Sequence, residues 1–306
     1  MVARNRIIVF ILVAVMLIGI ASCGADNSSA PRITEDREGN PITLPDKIDT
    51  IITMGPSNTE ILVALGFGDI IVAIDEYSEN VVGIMPGIPM FSMLAPDGEQ
   101  IINLMPDIVF VPGMSRRGGT DDPFKVVSDV GICVIYMPSS DSIEDIKEDI
   151  RYIAAIMDAM DRAEGIIAGM EREIDRIAAI GATITDRRTV YFEVSAAPWI
   201  VSFGSGVFLN EMIELIGAVN VFKDREGWMS LSDEIALAAD PDVILTSVNY
   251  LDDPIEEIKS RPGWSGVAAV RDGAVFYIDT DSSNRPSHNI VIALLQMAQA
   301  VYPDVF

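Results

Sequence analysis

The chain contains very few of the side chains that bind transition metals. Among its 306 residues there are one histidine, His288, and two cysteines, Cys23 and Cys133. A zinc or manganese site needs several imidazole or thiolate ligands in one place, so we expect no resident metal ion. Cys133 lies in the apolar run Ile132–Met137, and we expect it to be a buried structural thiol.

Positive charge is also scarce. The chain has 21 lysines and arginines against 46 acidic residues, which gives a formal net charge of −25. Such a surface repels nucleic acids and anionic lipid headgroups. We therefore expect no nucleic acid among the partners.

Recognisable catalytic motifs are missing as well. No Gly-x-Ser-x-Gly follows a predicted strand, and Gly204-Ser205-Gly206 does not have that spacing. A phosphate-binding or dinucleotide-binding glycine loop is absent from the sequence. We therefore expect a protein that is not an enzyme and that carries no cofactor.

The first residues have the features of an export signal. Arg4 and Arg6 precede an apolar run over 7–21, which ends in small residues before Cys23. Fifteen apolar residues are short for a membrane span of about twenty, although an uncleaved signal anchor is the alternative. We predict a signal peptide over 1–22 and a flexible tether over 23–31.

A proline-free segment separates two similar halves. From Ser142 to Ala182, isoleucines and methionines recur at helical spacing. At ~1.5 Å per residue this segment predicts about 60 Å of helix, or two helices that meet near Asp161. We therefore predict lobes over 32–141 and 183–306, joined by a helical segment over 142–182.

Each half alternates predicted strands with helices, which indicates parallel sheets in an α/β fold. One motif occurs in both halves: Glu99 and Glu234 are each followed seven residues later by Pro-Asp and a β-branched strand. An acidic residue in the first turn of a helix is favourable, and proline ends the helix before the strand. The repeat predicts two lobes related by a pseudo-twofold axis, with a cleft between them.

Residues 32–306 resemble the substrate-binding proteins of ABC importers for metal chelates. The best-matching pieces are 55–66, 204–221 and the two Glu…Pro-Asp segments. The resemblance implies an extracytoplasmic lipoprotein that is anchored through Cys23 to the outer face of the cytoplasmic membrane. It would capture a chelate between two α/β lobes and deliver it to a permease and its ATPase subunits. The same fold in a tethered sensor or scaffold protein is the alternative function.

The resemblance also assigns roles to acidic residues. In the family, one exposed glutamate of each lobe docks onto arginines of the permease, and Glu99 and Glu234 match those positions. Their alternative role is a favourable charge at a helix N-terminus, worth less than about 1 kcal/mol each. Competing candidates for docking are Glu60, Glu211 and Glu214.

Ligand contacts are expected on the loops that face the cleft. Tyr77, Trp199 and Trp228 match positions that carry aromatic residues in cobalamin-binding members, and flat, rigid rings suit a planar macrocycle. The predicted ligand-binding residues are Ser57, Asn58, Tyr77, Trp199, Phe203, Trp228 and Arg285. A corrinoid is the first choice of ligand, followed by a ferric siderophore or haem. For any single aromatic residue, packing against the protein is the alternative, and we expect that role for Trp264.

The few cations near predicted loops could recognise an anionic chelate. Arg116, Arg117 and Arg285 are candidates for paired hydrogen bonds with such a ligand, and local salt bridges are their alternative. His288 could bind the metal of a chelate. The favoured alternative places it in solvent, with Ser287 capping the last helix.

Overall fold

The computed structural model describes residues 33–115 and 122–306. The predicted signal peptide, Cys23, the tether, Arg116 and Arg117 lie outside these residues. Within the described part of the chain, no helix has the length and apolar content needed to cross a bilayer.

The N-terminal lobe is built around a five-stranded sheet in which every pair is parallel, with strand order β3-β2-β1-β4-β5. The central strands are buried and consist mainly of isoleucine, valine and phenylalanine, as expected for a sheet covered on both faces. Its elements are β1 (Ile51–Thr53), α1 (Pro56–Ala64), β2 (Ile71–Asp75), β3 (Met90–Phe91), α2 (Gly98–Asn103), β4 (Ile108–Pro112), α3 (Lys125–Asp129) and β5 (Cys133–Met137).

Two helices follow, α4 (Ile143–Ile156) and α5 (Met160–Gly181). Ser142 caps α4 in a reciprocal pair with Asp145. Ion pairs between Lys147 and Glu171 (3.1 Å) and between Arg151 and Glu164 (2.8 Å) show that the two helices run antiparallel. The two-helix alternative is therefore correct, and a single 60 Å rod is not formed.

The C-terminal lobe contains a four-stranded parallel sheet of order β11-β10-β6-β8 and a separate antiparallel pair, β7 with β9. This arrangement confirms the predicted α/β fold with two lobes. Its elements are β6 (Thr189–Glu193), β7 (Ile200–Phe203), α6 (Phe208–Leu215), β8 (Val219–Asn220), β9 (Trp228–Leu231), α7 (Asp233–Ala238), β10 (Val243–Thr246), α8 (Pro254–Ser260), α9 (Ala268–Arg271), β11 (Val275–Tyr277), α10 (Thr280–Asn284) and α11 (Ile290–Val301).

The aspartate of the repeated Pro-Asp motif makes equivalent hydrogen bonds in both lobes. Asp107 accepts hydrogen bonds from the backbone and hydroxyl of Thr50, at 2.9 and 3.0 Å. Asp242 accepts the corresponding bonds from Thr189, at 2.8 and 2.7 Å. Each aspartate therefore ties the start of its own strand to the start of the neighbouring strand, so the two halves share one local construction.

Helix α5 contacts both lobes. Near its first turn, Arg162 donates to the Leu65 carbonyl at 2.5 Å, at the end of α1. Near its last turn, Gly181 lies against the backbone at the end of α6, where a Cβ would be 2.1 Å from the Leu215 carbonyl oxygen. At ~1.5 Å per residue, α5 is about 33 Å long, and α4 lies along it.

Cys133 is buried in β5, as the sequence predicts. Burial raises the pKa of its thiol to about 11, and the neighbouring Asp36 carboxylate acts in the same direction. The thiol is therefore protonated at neutral pH, when it is a poor nucleophile.

Two glycines of α5 provide a matched test of the close approach to α6. We expect Gly181→Ala to lower the free energy of unfolding by about 2–3 kcal/mol, because the added methyl group meets backbone atoms. Gly165→Ala should instead raise it by about 0.5–1 kcal/mol, because nothing lies within 4 Å and alanine favours the helix. Urea unfolding followed by circular dichroism measures both. Equal effects of the two substitutions would contradict the contact.

Candidate functional site

The candidate site lies where the carboxyl ends of the two parallel sheets meet. Ligands of open α/β sheets bind beyond these strand ends, because the loops there are free to vary. In the N-terminal lobe, the first turn of α1, which follows β1, carries Ser57 and Asn58, and the loop after β2 carries Tyr77. In the C-terminal lobe, the loop after β6 carries Trp199, and Arg285 follows α10, the short helix after β11. Hydrogen bonds from Arg285 join the two edges, and we call the space between them the cleft.

A buried aspartate organises the N-terminal edge of the cleft. Asp75, which ends β2, is fully buried and accepts the Gly55 N–H at 2.8 Å and the Tyr77 N–H at 2.8 Å. It also accepts a short hydrogen bond from Ser78, whose hydroxyl lies 3.0 Å from that of Thr59. One carboxylate thus fixes two neighbouring loops and holds the Tyr77 main chain in place.

The beginning of α1 differs from the sequence prediction. Gly55 occupies the N-cap position, with Pro56 next to it, and no side chain caps the helix. Ser57 and Asn58, which were expected on a loop, instead lie in the first turn of α1, and Asn58 is buried. Gly55 has a φ of 146°, which favours glycine. The structure therefore leaves the ligand-binding role of both residues as a prediction.

Aromatic side chains flank the antiparallel pair of β7 and β9. Trp199 directly precedes β7 and is 80 % exposed, and Trp228 begins β9, opposite the last residue of β7, and is 47 % exposed. Phe203 is fully buried and supports Trp228, with their rings edge to face at a centroid distance of 5.7 Å. In this structure Phe203 is therefore inaccessible to a ligand, and Trp199 and Trp228 are accessible.

Three exposed apolar residues at the strand ends escaped prediction from the sequence. Tyr250 follows β10, and its hydroxyl accepts the Ala196 N–H at 2.8 Å, which ties it to the loop that carries Trp199. Leu94 and Met114 follow β3 and β4 and are 52 % and 42 % exposed. For Met114 and Tyr250, the apolar runs over 108–111 and 243–246 that precede them were the available signal, and no such run precedes Leu94. Apolar surface is therefore present on both edges of the cleft.

Arg285 forms a bridge between the lobes. It donates to Glu60 at 2.9 Å and to the Tyr77 carbonyl at 2.9 Å, and it pairs with Asp281 at 2.7 Å. The guanidinium group is largely buried. The N–H groups of Arg285 that the sequence analysis assigned to an anionic ligand are therefore engaged by protein groups. Ligand binding by Arg285 stays a prediction.

His288 does not lie in solvent, contrary to the favoured expectation. It lines a pocket of about 390 Å³ together with Glu60, Asp281 and Arg285, and its buried Nδ1 atom has no hydrogen-bond partner. Burial lowers the pKa of His288, although the Glu60 carboxylate acts in the opposite direction. Ser287 does accept the N–H of Asn289, the N-cap residue of α11, at 3.2 Å. Over residues 33–115 and 122–306, no three acidic, histidine or cysteine side chains form a metal-binding group.

The two predicted docking glutamates occupy equivalent places. Glu99 and Glu234 are each the second residue of a six-residue helix, and both are exposed. Of the competing candidates, Glu60 is buried, and Glu211 accepts the Ile143 N–H at 2.9 Å. Glu214 is exposed and accepts a hydrogen bond from Asn210 at 3.0 Å.

A buried network lies beneath α7 in the C-terminal lobe. Arg261 makes two hydrogen bonds of 2.7 Å to Glu193, which ends β6, and its guanidinium group lies 4.9 Å from the Trp264 ring. The Trp264 indole donates to Asp233, the first residue of α7, at 3.0 Å. Trp264 is fully buried. It therefore packs inside the lobe, as expected from the sequence.

Residues 51–282 match the sequence profile of the family described as periplasmic binding protein. An uncharacterized ABC transporter substrate-binding lipoprotein of Bacillus subtilis, YvrC, is 30 % identical over 97 % of this chain and 96 % of its own length. A cobalamin-binding protein of Halobacterium salinarum is 24 % identical over 98 % of this chain and 85 % of its own length.

Solved structures show the same architecture. The crystal structure of a periplasmic solute-binding protein from Staphylococcus epidermidis has a TM-score of 0.73 and 28 % identity. The similarity covers 84 % of this chain and 100 % of that chain. The two-lobed arrangement is therefore shared with a protein of known structure.

His288 is the only histidine of the chain, so its titration can be measured directly and reports on its burial in the pocket of about 390 Å³. We expect its imidazole to titrate with a midpoint below about 6.5, the ordinary value, because burial disfavours the charged ring. In the unfolded chain the ring takes up a proton near pH 6.5, so the free energy of unfolding should fall as the pH drops through that value. Proton NMR of the untagged chain measures the midpoint. A midpoint at or above 6.5 would contradict the burial.

Proposed function

Because the chain belongs to the periplasmic binding protein family, we propose that it is the extracytoplasmic substrate-binding protein of an ABC importer and captures a metal chelate. Family membership confirms the resemblance stated from the sequence. The observation that carries the proposal is the meeting of two parallel-sheet edges, with Tyr77 exposed on one and Trp199 on the other, while Trp228 is exposed at the start of β9. The proposed function is binding and delivery, with no chemical step.

A corrinoid is the ligand that we favour. The exposed edges offer aromatic and aliphatic surface, which suits a large ring system with apolar faces. Arg285, the cation that contacts the Tyr77 loop, is engaged by two carboxylates and a carbonyl. An anionic siderophore or haem would have to compete for those donors. The name of the Halobacterium salinarum relative supports the same choice.

The geometry suggests how capture would proceed. The ligand would enter between the lobes and rest on the aromatic edge, while α5 limits the lobe motion because bending a continuous helix is costly. The loaded protein would dock through Glu99 and Glu234 on a permease, and partner ATPase subunits would supply the energy. Lipidation at Cys23 would keep the protein at the outer face of the membrane.

Binding can be tested with three chelates, cyanocobalamin, haemin and a ferric catecholate, in equilibrium titrations of the full chain. We expect cyanocobalamin to bind most tightly. Trp199→Ala and Trp228→Ala should each weaken binding at least about tenfold, because each removes a large exposed ring. Met160→Ala serves as the control. Met160 is exposed in the first turn of α5, which contacts the C-terminal end of α1, and that end of α1 points away from the cleft. If none of the three chelates binds, the proposed ligand class is wrong.

Docking can be tested by charge reversal. We expect Glu99→Arg and Glu234→Arg each to reduce ligand-dependent stimulation of the importer's ATPase activity about tenfold or more, because each would place like charges in contact. Glu173→Arg on α5 is the matched control, since Glu173 is also an exposed helical glutamate. Stimulation that is unchanged in both variants, with ligand binding intact, would reject Glu99 and Glu234 as docking residues. Absence of stimulation by the unchanged chain would favour the sensor or scaffold alternative.

A further inference from the structure

Glu60 is a buried carboxylate that accepts hydrogen bonds from the opposite lobe. It lies in α1 and is 7 % exposed. Arg285 donates to its Oε1 at 2.9 Å, and Asn289 donates to its Oε2 at 2.9 Å. Ser287 makes a short hydrogen bond to the same Oε2. Three donors from the segment between α10 and α11 therefore converge on one side chain of the N-terminal lobe.

Arg285 extends this bridge to the edge of the cleft. Its Nη2 atom donates to the Tyr77 carbonyl at 2.9 Å and also lies 2.7 Å from Asp281. The Tyr77 N–H is held separately by Asp75. The main chain around Tyr77 is thus fixed on one side from its own lobe and on the other side from the opposite lobe.

Glu60 and Arg285 form the one ion pair between side chains of the two lobes within residues 33–115 and 122–306. Another polar contact, from the Ile143 N–H at the start of α4 to Glu211, joins the helical segment to the C-terminal lobe and does not link the two lobes directly. Hydrogen bonds with an ionised partner are roughly twice as strong as neutral ones, and Arg285 with Glu60 is such a bond. The buried pair is also sensitive to change, because removal of one partner leaves the other charge without compensation.

We propose that Glu60 is a positioning residue for the cleft: its carboxylate holds Arg285, and through Arg285 it fixes the Tyr77 loop against the C-terminal lobe. The significance of Tyr77 for a ligand rests on the proposed function, whereas the positioning itself does not. A carboxylate suits this position because Arg285 can only donate, and Ser287 and Asn289 also donate to Glu60 here. A glutamine at this position would turn an N–H₂ group toward either Arg285 or the pair Ser287 and Asn289.

Hydrogen–deuterium exchange of the full chain, read by mass spectrometry, tests the proposal without a ligand. In Glu60→Gln we expect amide exchange over 76–82 and 285–289 to rise about tenfold or more. Exchange over β1 and β10, one central strand of each sheet, should change less than twofold. A purely structural contribution to overall stability would accelerate exchange in both sheets equally, so this pattern distinguishes positioning from global destabilisation.

Two further variants sharpen the result. Arg285→Met should reproduce the faster exchange over 76–82, and the double variant should add little to it, because both changes break one connection. Glu211→Gln is the matched control, since its amide oxygen can still accept the Ile143 N–H. We expect this control to leave exchange over 76–82 within twofold of the unchanged chain.

The proposal is overturned if Glu60→Gln leaves exchange over 76–82 within twofold, or if that variant accelerates exchange equally in β1 and β10. It is also overturned if Arg285→Met loosens the segment and Glu60→Gln does not, because Arg285 would then act without Glu60. A parallel titration with cyanocobalamin keeps the two proposals separate. No binding by the unchanged chain would reject the favoured corrinoid ligand, while the exchange pattern would still decide the role of Glu60.

Discussion

Helix α5 carries the constraint on which the arrangement of both lobes depends. Its first turn is tied to the end of α1 by Arg162, and its last turn contacts the backbone from Leu215 to Gly217 so closely that a side chain at Gly181 would force that backbone to shift. Helix α4 lies antiparallel along it and adds ion pairs such as Lys147 with Glu171. Because a packed helix resists bending, lobe motion must be small or must occur as rotation about these fixed contacts.

The scarcity of cations explains how the interior is organised. Two arginines are nearly buried, Arg261 and Arg285, and each pairs with two carboxylates. A buried carboxylate needs partners that compensate for lost hydration. Arg261 and Arg285 are such partners for Glu193 and Glu60, whereas hydrogen-bond donors alone surround Asp75. With 46 acidic and 21 basic side chains, most acids must remain at the surface. The acidic surface therefore follows from the composition. The buried ion pairs connect separate elements: Arg261 with Glu193 inside the C-terminal lobe, and Arg285 with Glu60 between the lobes.

Local sequence patterns predicted what depends on local physics. The parallel strands and the repeated Pro-Asp turns follow from periodicity and from backbone hydrogen bonding around Asp107 and Asp242. The antiparallel course of α4 and α5 was not predictable from periodicity, because an apolar stripe does not reveal a reversal at Asp158, whose φ is +52°. The environment of His288 was missed for another reason. Glu60 and Arg285 are 225 residues apart, and no local pattern reports such a pairing.

The acidic surface changes how Glu99 and Glu234 can function in docking. On a chain with a formal charge of −25, the long-range field attracts any basic partner surface, whichever glutamate is closest. Negative charge alone therefore does not distinguish these two glutamates from other exposed acidic residues. Their equivalent positions can, because each is the second residue of a short helix in its own lobe, and α5 restrains the separation between those lobes. A partner that binds both glutamates at a fixed distance would therefore bind only when the lobes have the matching separation. The contacts of α5 that set this separation would then also affect docking.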